Sequence, residues 1–237
     1  MLPRLFTHKL LSPSDLEPSD PRMRVVGVFN PGVVEVGGRA AVLARVVEQP
    51  IEKRDGYFPS PRYDEDTLHI DWLACEDCDC GDPRTLISKT TGLVRLRFVS
   101  HLRLFWLDPG SKPGDTPRLG PEVLRIMPQC AFEQYGVEDP RITPIGDGFA
   151  ITYVGVSPQG VCTKLMQTDD FATFERRGVI LPPDNKDVLL FPDKVGGRYA
   201  MLHRPMPSMK FSSPHIWFAQ SDDLLSWGNH RPVEGVS

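Results

Sequence analysis

The sequence predicts an all-β protein whose strands are organised in repeated units. Its 237 residues include 24 prolines and 20 glycines, which interrupt the chain every few residues and leave little room for long helices. The apolar segments between them have the length of short strands. Three segments also repeat one order of proline, glycine turn and apolar strand, at residues 30–46, 139–155 and 191–205.

The second and third units continue with a further shared pattern, a strand followed by two aspartates and an aromatic residue. The aspartate pairs at 169–170 and 222–223 lie about 50 residues apart, as do Pro140 and Pro192, and this period is typical of stacked or radial repeats. Several short antiparallel strands per unit at this period indicate a β-propeller in which each unit is one blade.

The domain organisation follows from these units. Residues 1–28 form an N-terminal extension, and residues 29–237 form a propeller of about three blades. Residues 47–98 form a polar insertion within the first blade; the alternative is a degenerate extra blade around Asp82 and Pro83. Because a propeller needs at least about four blades to close its ring, we expect the ring to be incomplete at its C-terminus.

Composition excludes several classes of function. A net charge of −4 provides no basic surface for nucleic acid or for an anionic membrane. No apolar run approaches the length of a membrane span, and the N-terminus lacks the apolar core of a signal peptide, so we expect a cytoplasmic protein. Among five cysteines, Cys75, Cys78 and Cys80 provide one C-x-x-C pair without a second pair, so we expect no metal site.

The propeller interpretation also predicts where polar residues meet, because the innermost strand of each blade starts near the central channel. It gathers the following residues around one pocket: Asn30, Asp139, Lys186 and Asp187, with Arg45 and Arg204 at the far ends of the same inner strands. One or two carboxylates among several cations suit a polar, anionic or sugar-like substrate. Motifs such as G-x-S-x-G and phosphate-cradling glycine loops are absent from the sequence.

Several of these segments resemble glycoside hydrolase family 130, which comprises β-mannoside phosphorylases and related mannosidases. They are "FNPGVV", "LARV", "YGVEDPRIT", "NKDVLLFP", "GGRYAMLHRP" and "QSDDLLSWG". The resemblance runs from Phe29 to Trp227 in order and spacing. It implies a five-bladed propeller that here lacks its C-terminal part.

The resemblance also implies a role for each candidate residue. Asp139 is implied as the catalytic general acid, which relays its proton through a hydroxyl of the bound mannose, and Lys186 and Arg204 as the cations that hold inorganic phosphate. The residues implied to line the sugar pocket are Asn30, Arg45, Arg141 and Asp187. After "SHLRL" the chain departs from the family's usual Ser-x-Asp-Gly turn, so His101 and Arg103 receive no role.

The chemistry of these groups favours phosphorolysis. An inverting glycosidase needs two carboxylates, one to protonate the leaving oxygen and one to activate water. A phosphorylase needs the acid and cations that position phosphate. We therefore expect an inverting phosphorylase that converts short β-1,2- or β-1,4-mannosides to α-mannose 1-phosphate, with phosphate as co-substrate and no cofactor.

Three alternatives remain open at this stage. The chain could be a β-mannosidase of the same family that uses water, or a carbohydrate-binding propeller without catalysis. Asp139, which precedes a proline, could also simply initiate a turn. Beside it, Glu138 could form a salt bridge with Arg141 and hold this loop in shape. The expected partners are a β-mannoside and phosphate, without nucleic acid or membrane, and a homo-oligomer is left open.

Overall fold

The protein is seen in a computed structural model that describes residues 7–108, 110, 115–206 and 215–235. Residues 1–6 of the predicted extension and 236–237 of the predicted propeller lie outside the described residues. Strands dominate, and the helices within the described ranges are short 3₁₀ turns at Pro13–Asp15, Cys75–Asp77 and Ala131–Glu133. The predicted all-β class is confirmed. None of these helices has the length and apolar character needed to cross a bilayer.

The strands follow one another along the chain with short connections. The first nine are β1 (Met23–Val36), β2 (Arg39–Pro50), β3 (Tyr57–Asp64), β4 (Thr67–Ala74), β5 (Cys78–Asp79), β6 (Thr85–Ser88), β7 (Val94–Leu96), β8 (Val99–Asp108) and β9 (Arg118–Ile126). The remaining strands are β10 (Gly136–Ile145), β11 (Gly148–Ser157), β12 (Gly160–Thr168), β13 (Glu175–Leu181), β14 (Asn185–Leu190), β15 (Tyr199–Pro205), β16 (Trp217–Ser221) and β17 (Trp227–Pro232).

Three antiparallel units of four strands form the body of the molecule. The first blade is β1-β2-β8-β9, the second is β10-β11-β12-β13 and the third is β14-β15-β16-β17. A single parallel pairing of Gly136 with Ser100 joins the first two blades. Between β2 and β8 the chain forms two small separate sheets, the hairpin β3-β4 and the three strands β5-β6-β7.

The first hairpin extends further at its open end, in both strands, than the sequence indicates. β1 begins at Met23, inside the predicted 1–28 extension, and β2 continues to Pro50, inside the predicted 47–98 insertion. The two strands stay paired over this whole length, from Met23↔Pro50 to Val36↔Arg39. Met23 is fully buried, so the additional pairs also bury apolar surface.

The predicted equivalence of Pro140 and Pro192 is wrong. Pro140 lies inside β10, whereas Pro192 lies in the turn after β14. The third inner strand therefore begins at Asn185, before the segment 191–205 that the proline pattern indicated. The two aspartate pairs do occupy equivalent turns after β12 and β16, where Asp170 and Asp223 accept hydrogen bonds from the following backbone N–H groups.

Apolar side chains between the blades hold the body together. Leu43, Leu104, Ile151 and Met166 belong to the cluster between the first two blades, and a second cluster between the second and third blades includes the following residues: Ala150, Leu165, Val188, Met201 and Ala219. Blades packed on both faces explain why β2 is buried almost continuously, without the alternation of a half-exposed strand. This packing brings the inner strands β1, β10 and β14 side by side.

Candidate active site

Each inner strand carries a β-bulge at the same place, and the bulge presents one polar residue. The register shifts lie between Phe29 and Gly32 in β1, between Glu138 and Arg141 in β10, and between Lys186 and Leu189 in β14. The residues at these bulges are Asn30, Asp139 and Asp187, whose φ angles of 47°, 48° and 59° are all in the left-handed region. Asn and Asp adopt this conformation more readily than other residues with side chains. Bulges are often used to re-aim a side chain.

The bulges of the first two blades meet at Asp139. Asn30 Nδ2 donates to Asp139 Oδ1 at 3.0 Å, and Arg45 Nη1 donates to the same oxygen at 3.1 Å. Oδ2 accepts no hydrogen bond from any described residue, and the side chain is 28% exposed. Gly32 permits this approach of β1 to β10, because a Cβ there would lie 2.7 Å from the Pro140 carbonyl oxygen.

Glu138 and Ser100 complete this junction, and sequence reasoning gave neither of them a catalytic or binding role. Glu138 Oε1 accepts from Arg45 Nη2 at 2.6 Å and from Ser100 Oγ at 2.9 Å. Arg45 Nε in turn points at Ser100 Oγ at 3.3 Å. Burial raises the pKa of Glu138, against the lowering effects of the Arg45 cation and the Ser100 hydroxyl. The one sequence feature that could have indicated a contribution of Glu138 to this junction is its position next to Asp139.

The predicted positions of Arg45 and Arg204 at the far ends of the inner strands are wrong. Both lie on the second strand of their blades, where Arg45 is opposite Phe29 and Arg204 is opposite Lys186. The antiparallel hairpin returns each arginine to the bulge end of the inner strand. Both cations therefore lie at the end of the molecule that carries Asp139.

The third blade contributes a cationic pair beside this junction. Lys186 and Arg204 are directly opposite in the β14-β15 ladder, and opposite residues of an antiparallel pair project from the same face of a sheet. Arg204 contacts the Asp187 carboxylate through Nε, at 2.8 Å, and through Nη2. Lys186 lies close enough to Glu138 to lower its pKa electrostatically. Its ammonium makes no ion pair within the part of the chain that the structure describes.

Arg141 lies apart from the Asp139 carboxylate. It is exposed and lines a cavity of about 420 Å³ between the three inner strands, with Pro31, Ile142 and Leu189. The expectation that Glu138 pairs with Arg141 is wrong, because β10 continues past its bulge and Glu138 instead contacts Arg45. Arg141 has no hydrogen bond or ion pair among residues 7–108, 110, 115–206 and 215–235.

Two histidines, His101 and His203, are packed inside the blades. His203 is 4% exposed and its Nδ1 contacts the Asn185 side chain at 3.0 Å; burial and the neighbouring His230 lower the pKa of His203 to about 4. His101 accepts a hydrogen bond from Arg103 Nε at 2.9 Å. Arg103 also donates to Glu48 at 2.8 Å, with both side chains fully buried. In the described ranges no group of three or more His, Cys, Asp or Glu residues is arranged to hold a metal ion.

A second polar network, centred on Glu133, lies inside the second blade. Oε1 accepts from Lys164 Nζ at 2.6 Å and Tyr153 OH at 3.0 Å, and Oε2 accepts from Arg176 Nη1 at 2.7 Å and the Gln129 backbone N–H at 2.9 Å. Glu133 is fully buried. Burial alone would raise its pKa, but Arg176 and Lys164 hold the pKa below its ordinary value. Every lone-pair direction of this carboxylate is occupied, which is typical of a structural group.

Comparison with known proteins identifies the family of the chain. The sequence profile of glycoside hydrolase family 130, described as beta-1,4-mannooligosaccharide phosphorylase, matches residues 116–236. This match covers just over half of the 237 residues. The chain belongs to glycoside hydrolase family 130.

The names of two curated relatives agree with this assignment. The chain is 36% identical over 240 residues to a beta-1,2-mannobiose phosphorylase of Listeria innocua serovar 6a, covering 98% of this chain and 66% of that protein. A 1,2-beta-oligomannan phosphorylase of Thermoanaerobacter sp. is 39% identical over 106 residues, 43% of this chain and 33% of the relative. The chain thus spans less than two thirds of the length of either protein.

Two solved structures resemble the fold described above. The Listeria innocua beta-1,2-mannobiose phosphorylase in complex with beta-1,2-mannobiose superimposes with a TM-score of 0.85 at 34% identity, over 96% of this chain and 65% of that one. A glycosyl hydrolase from Bacteroides ovatus, at 15% identity and a TM-score of 0.53 over 84% of this chain and 48% of that one, shows the likeness of fold alone. The five-bladed ring stays a prediction.

Proposed function

We propose that the protein is an inverting glycoside phosphorylase that cleaves short β-mannosides with inorganic phosphate and releases α-mannose 1-phosphate. The observation that carries the proposal is the composition of the site. It holds one half-satisfied carboxylate, Asp139, beside two cations of the third blade, Lys186 and Arg204, of which Lys186 has no carboxylate partner among the described residues. The membership of family 130 supports the same activity.

Asp139 serves as the general acid, with its proton on Oδ2. Oδ1 accepts hydrogen bonds from both Asn30 and Arg45, so its lone pairs are engaged and the proton belongs on the free oxygen. A general acid of this kind accelerates bond cleavage by roughly 10²- to 10⁴-fold. The leaving oxygen of the mannoside receives this proton, through a hydroxyl of the bound mannose, as the bond to the anomeric carbon breaks.

Phosphate replaces the second carboxylate of an ordinary inverting glycosidase. A phosphate oxygen attacks the anomeric carbon from the face opposite the leaving oxygen, which converts a β-mannoside to an α-phosphate. Lys186 and Arg204 neutralise and orient this nucleophile, and the forked guanidinium of Arg204 suits two phosphate oxygens. Asn30, Arg45, Arg141 and Asp187 are proposed as the polar lining of the mannose pocket.

The proposed substrate is a β-1,2-linked mannoside, with β-1,4-mannosides as the alternative linkage. The Listeria innocua relative, which is similar over 98% of this chain, carries the name beta-1,2-mannobiose phosphorylase. A cavity of about 730 Å³ between the β11-β12 turn and the third blade is lined by Gln159, Asn185 and Trp217. Amide and indole groups suit a second sugar ring there. A cytoplasmic location and a homo-oligomer stay predictions.

Hydrolysis is the second candidate, because Glu138 is a carboxyl group adjacent to the proposed acid. An inverting hydrolase would need this second carboxylate to activate water. Glu138 is instead engaged by Arg45 and Ser100 and its side chain is only 12% exposed, which leaves it poorly placed to act as a base. This occupation favours phosphorolysis.

Product analysis tests the proposal. The full-length polypeptide is incubated with phosphate and either β-1,2-mannobiose or β-1,4-mannobiose, and proton and phosphorus NMR follow the free mannose and the sugar phosphate. We expect α-mannose 1-phosphate, formed faster from the β-1,2-linked disaccharide. Free mannose without any sugar phosphate would instead identify a hydrolase.

A further inference from the structure

We propose that Glu138 and Ser100 are positioning residues that hold Arg45 in an orientation which leaves one oxygen of Asp139 free for proton transfer. We call these three residues the Arg45 clamp. The inference rests on the proposed function, because it concerns how the general acid of that reaction is kept ready. It assigns a mechanistic role to two side chains that the sequence motifs leave without one.

In the clamp, each of the three nitrogens of the Arg45 guanidinium has its own partner. Nη2 donates to Glu138 Oε1, Nε points at Ser100 Oγ, and Nη1 donates to Asp139 Oδ1. Ser100 Oγ itself donates to Glu138 Oε1 at 2.9 Å, which closes the ring between them. The Arg45 guanidinium also lies over the Phe29 ring, 4.9 Å from its centroid.

Without the clamp, Arg45 would be expected to bind Asp139 in a different way. An arginine that faces a carboxylate prefers a forked arrangement in which two N–H groups bind both oxygens. That arrangement would cover Oδ2, the oxygen from which the proton has to pass toward the leaving group. Glu138 and Ser100 occupy Nη2 and Nε, so Nη1 alone reaches Asp139.

The clamp is well suited to fix a geometry because its parts are buried and come from three strands. Ser100 is fully buried on β8, and the side chains of Arg45 on β2 and Glu138 on β10 are 10% and 12% exposed. Such a ring joins the first and second blades at the point where the acid is presented. Misplacement of a catalytic group by about 1 Å can cost roughly 100-fold in rate.

Four variants of the full-length polypeptide test the proposal. Glu138→Ala removes the acceptor of Arg45 Nη2, whereas Glu138→Gln keeps an oxygen that can accept from Arg45 and Ser100. Ser100→Ala removes the Nε partner. Glu48→Gln is the matched control, since Glu48 also holds a buried arginine, Arg103, at 2.8 Å, but contributes nothing to the site.

Each variant is assayed on two substrates by release of the leaving group. β-1,2-Mannobiose needs a proton on its leaving oxygen, whereas 4-nitrophenyl β-mannoside, with an activated leaving group, does not. We expect Glu138→Ala to lower kcat about 100-fold on mannobiose with KM changed less than about threefold, and to lower the rate on the nitrophenyl mannoside by less than about fivefold. Ser100→Ala should lose about tenfold in kcat on mannobiose and Glu138→Gln less than that, whereas Glu48→Gln should lower Tm without changing kcat.

Two results would overturn the clamp. One is a Glu138→Ala enzyme whose kcat on mannobiose is within about threefold of wild type. The other is an equal loss on both substrates in Glu138→Ala, which would indicate a general structural defect. If Glu138→Ala does not fold, a Ser100→Ala enzyme with unchanged kcat on mannobiose would contradict the proposal and a selective loss there would support it. A wild-type protein that cleaves no mannoside would contradict the proposed function itself.

Discussion

Two acidic residues at the second blade have sharply different surroundings: Glu133, in the 3₁₀ turn that precedes β10, and Asp139, six positions later in β10. Glu133 is fully buried, and four donors occupy its two oxygens. Asp139 is 28% exposed, and its two donors both bind Oδ1. A saturated carboxylate has no capacity left for a substrate, whereas Asp139 retains one open oxygen. The difference separates a structural carboxylate from a candidate catalytic one.

The lysines of the two regions differ in the same way. Lys164 is 5% exposed and its ammonium contacts Glu133 at 2.6 Å, so its charge is already compensated. Lys186 makes no ion pair within the described ranges, and the nearby carboxyl of Glu138 is bound to Arg45. An uncompensated cation beside a half-satisfied acid is what an anionic nucleophile would need.

The largest effect is expected from replacing Asp139, the carboxyl group that retains an open oxygen. Asp139→Asn keeps an oxygen for Asn30 and Arg45 but cannot donate a proton to the leaving group. We expect kcat on a β-mannobiose to fall about 1000-fold while Tm stays close to that of wild type. Steady-state kinetics and thermal unfolding measure the two quantities. The control is Asp147→Asn in the exposed β10-β11 turn, which should behave as wild type, and near-normal turnover by Asp139→Asn would contradict the assignment.

The next largest effect is expected from replacing Glu133, the carboxylate whose two oxygens are fully occupied by donors. Glu133→Ala leaves Lys164 buried without its counter-charge, and removal of one partner from a buried ion pair costs about 3–5 kcal/mol. We expect a loss of this size in the free energy of unfolding, measured with urea. Glu175→Ala is the matched surface variant, because Glu175 pairs with Arg177 at 2.6 Å but is 67% exposed. A loss of less than about 1 kcal/mol in Glu133→Ala would show that the network contributes little.

Replacing Lys186 or Arg204 tests whether these cations, unlike the compensated Lys164, are available to bind phosphate. If Lys186 and Arg204 hold phosphate, replacing either with Ala should remove a charge-assisted contact worth about 1.5–3 kcal/mol. We therefore expect the KM for phosphate to rise about 10- to 100-fold, with a much smaller change in the KM for the mannoside. Lys194→Ala on the same blade serves as the control. Equal changes in both KM values would argue against a phosphate site at these residues.

The smallest expected effect is a pair of opposite pH dependences. The pKa of Glu133 is lowered from 4.5 by Arg176 and Lys164 in spite of burial, so its contribution to stability is present above pH 4.5 and is lost as the pH falls through the lowered pKa. The pKa of Glu138 is raised from 4.5 by burial, so its contribution is present below pH 4.5 and is lost as the pH rises through the raised pKa.

Urea unfolding of wild type, Glu133→Gln and Glu138→Gln at a series of pH values measures these dependences. Relative to wild type, Glu133→Gln should lose stability mainly above pH 4.5, whereas Glu138→Gln should become relatively more stable as the pH rises. Parallel curves for the two variants would contradict the assigned pKa directions.

The features that could be predicted from the sequence are those that depend on local sequence patterns. Proline and glycine spacing predicted the all-β class, and the polar residues that open the repeats included Asn30 and Asp139, which the structure brings within hydrogen-bond distance. The residue types at the bulges also fit their conformation, because Asn and Asp adopt a positive φ more readily than other residues with side chains. The motif resemblance led to family 130, and this assignment is confirmed.

Features that depend on contacts between strands were missed or misplaced. Arg45 and Glu138 are 93 positions apart, and Ser100 and Glu138 are 38 apart, so no local pattern links them. The pairing of Glu138 with Arg141 was predicted from proximity in sequence, but the bulge of β10 separates the two side chains. The Glu133 network was missed for the same reason, since Arg176 lies 43 positions away.

The dependence of sugar release on phosphate tells directly whether the protein is a phosphorylase or a hydrolase. The full-length polypeptide is assayed on β-1,2-mannobiose while phosphate is raised from zero to saturation, and both free mannose and mannose 1-phosphate are quantified. We expect negligible cleavage without phosphate, and in its presence one mannose 1-phosphate for each mannose released. Equal rates of cleavage with and without phosphate, yielding mannose alone, would contradict it.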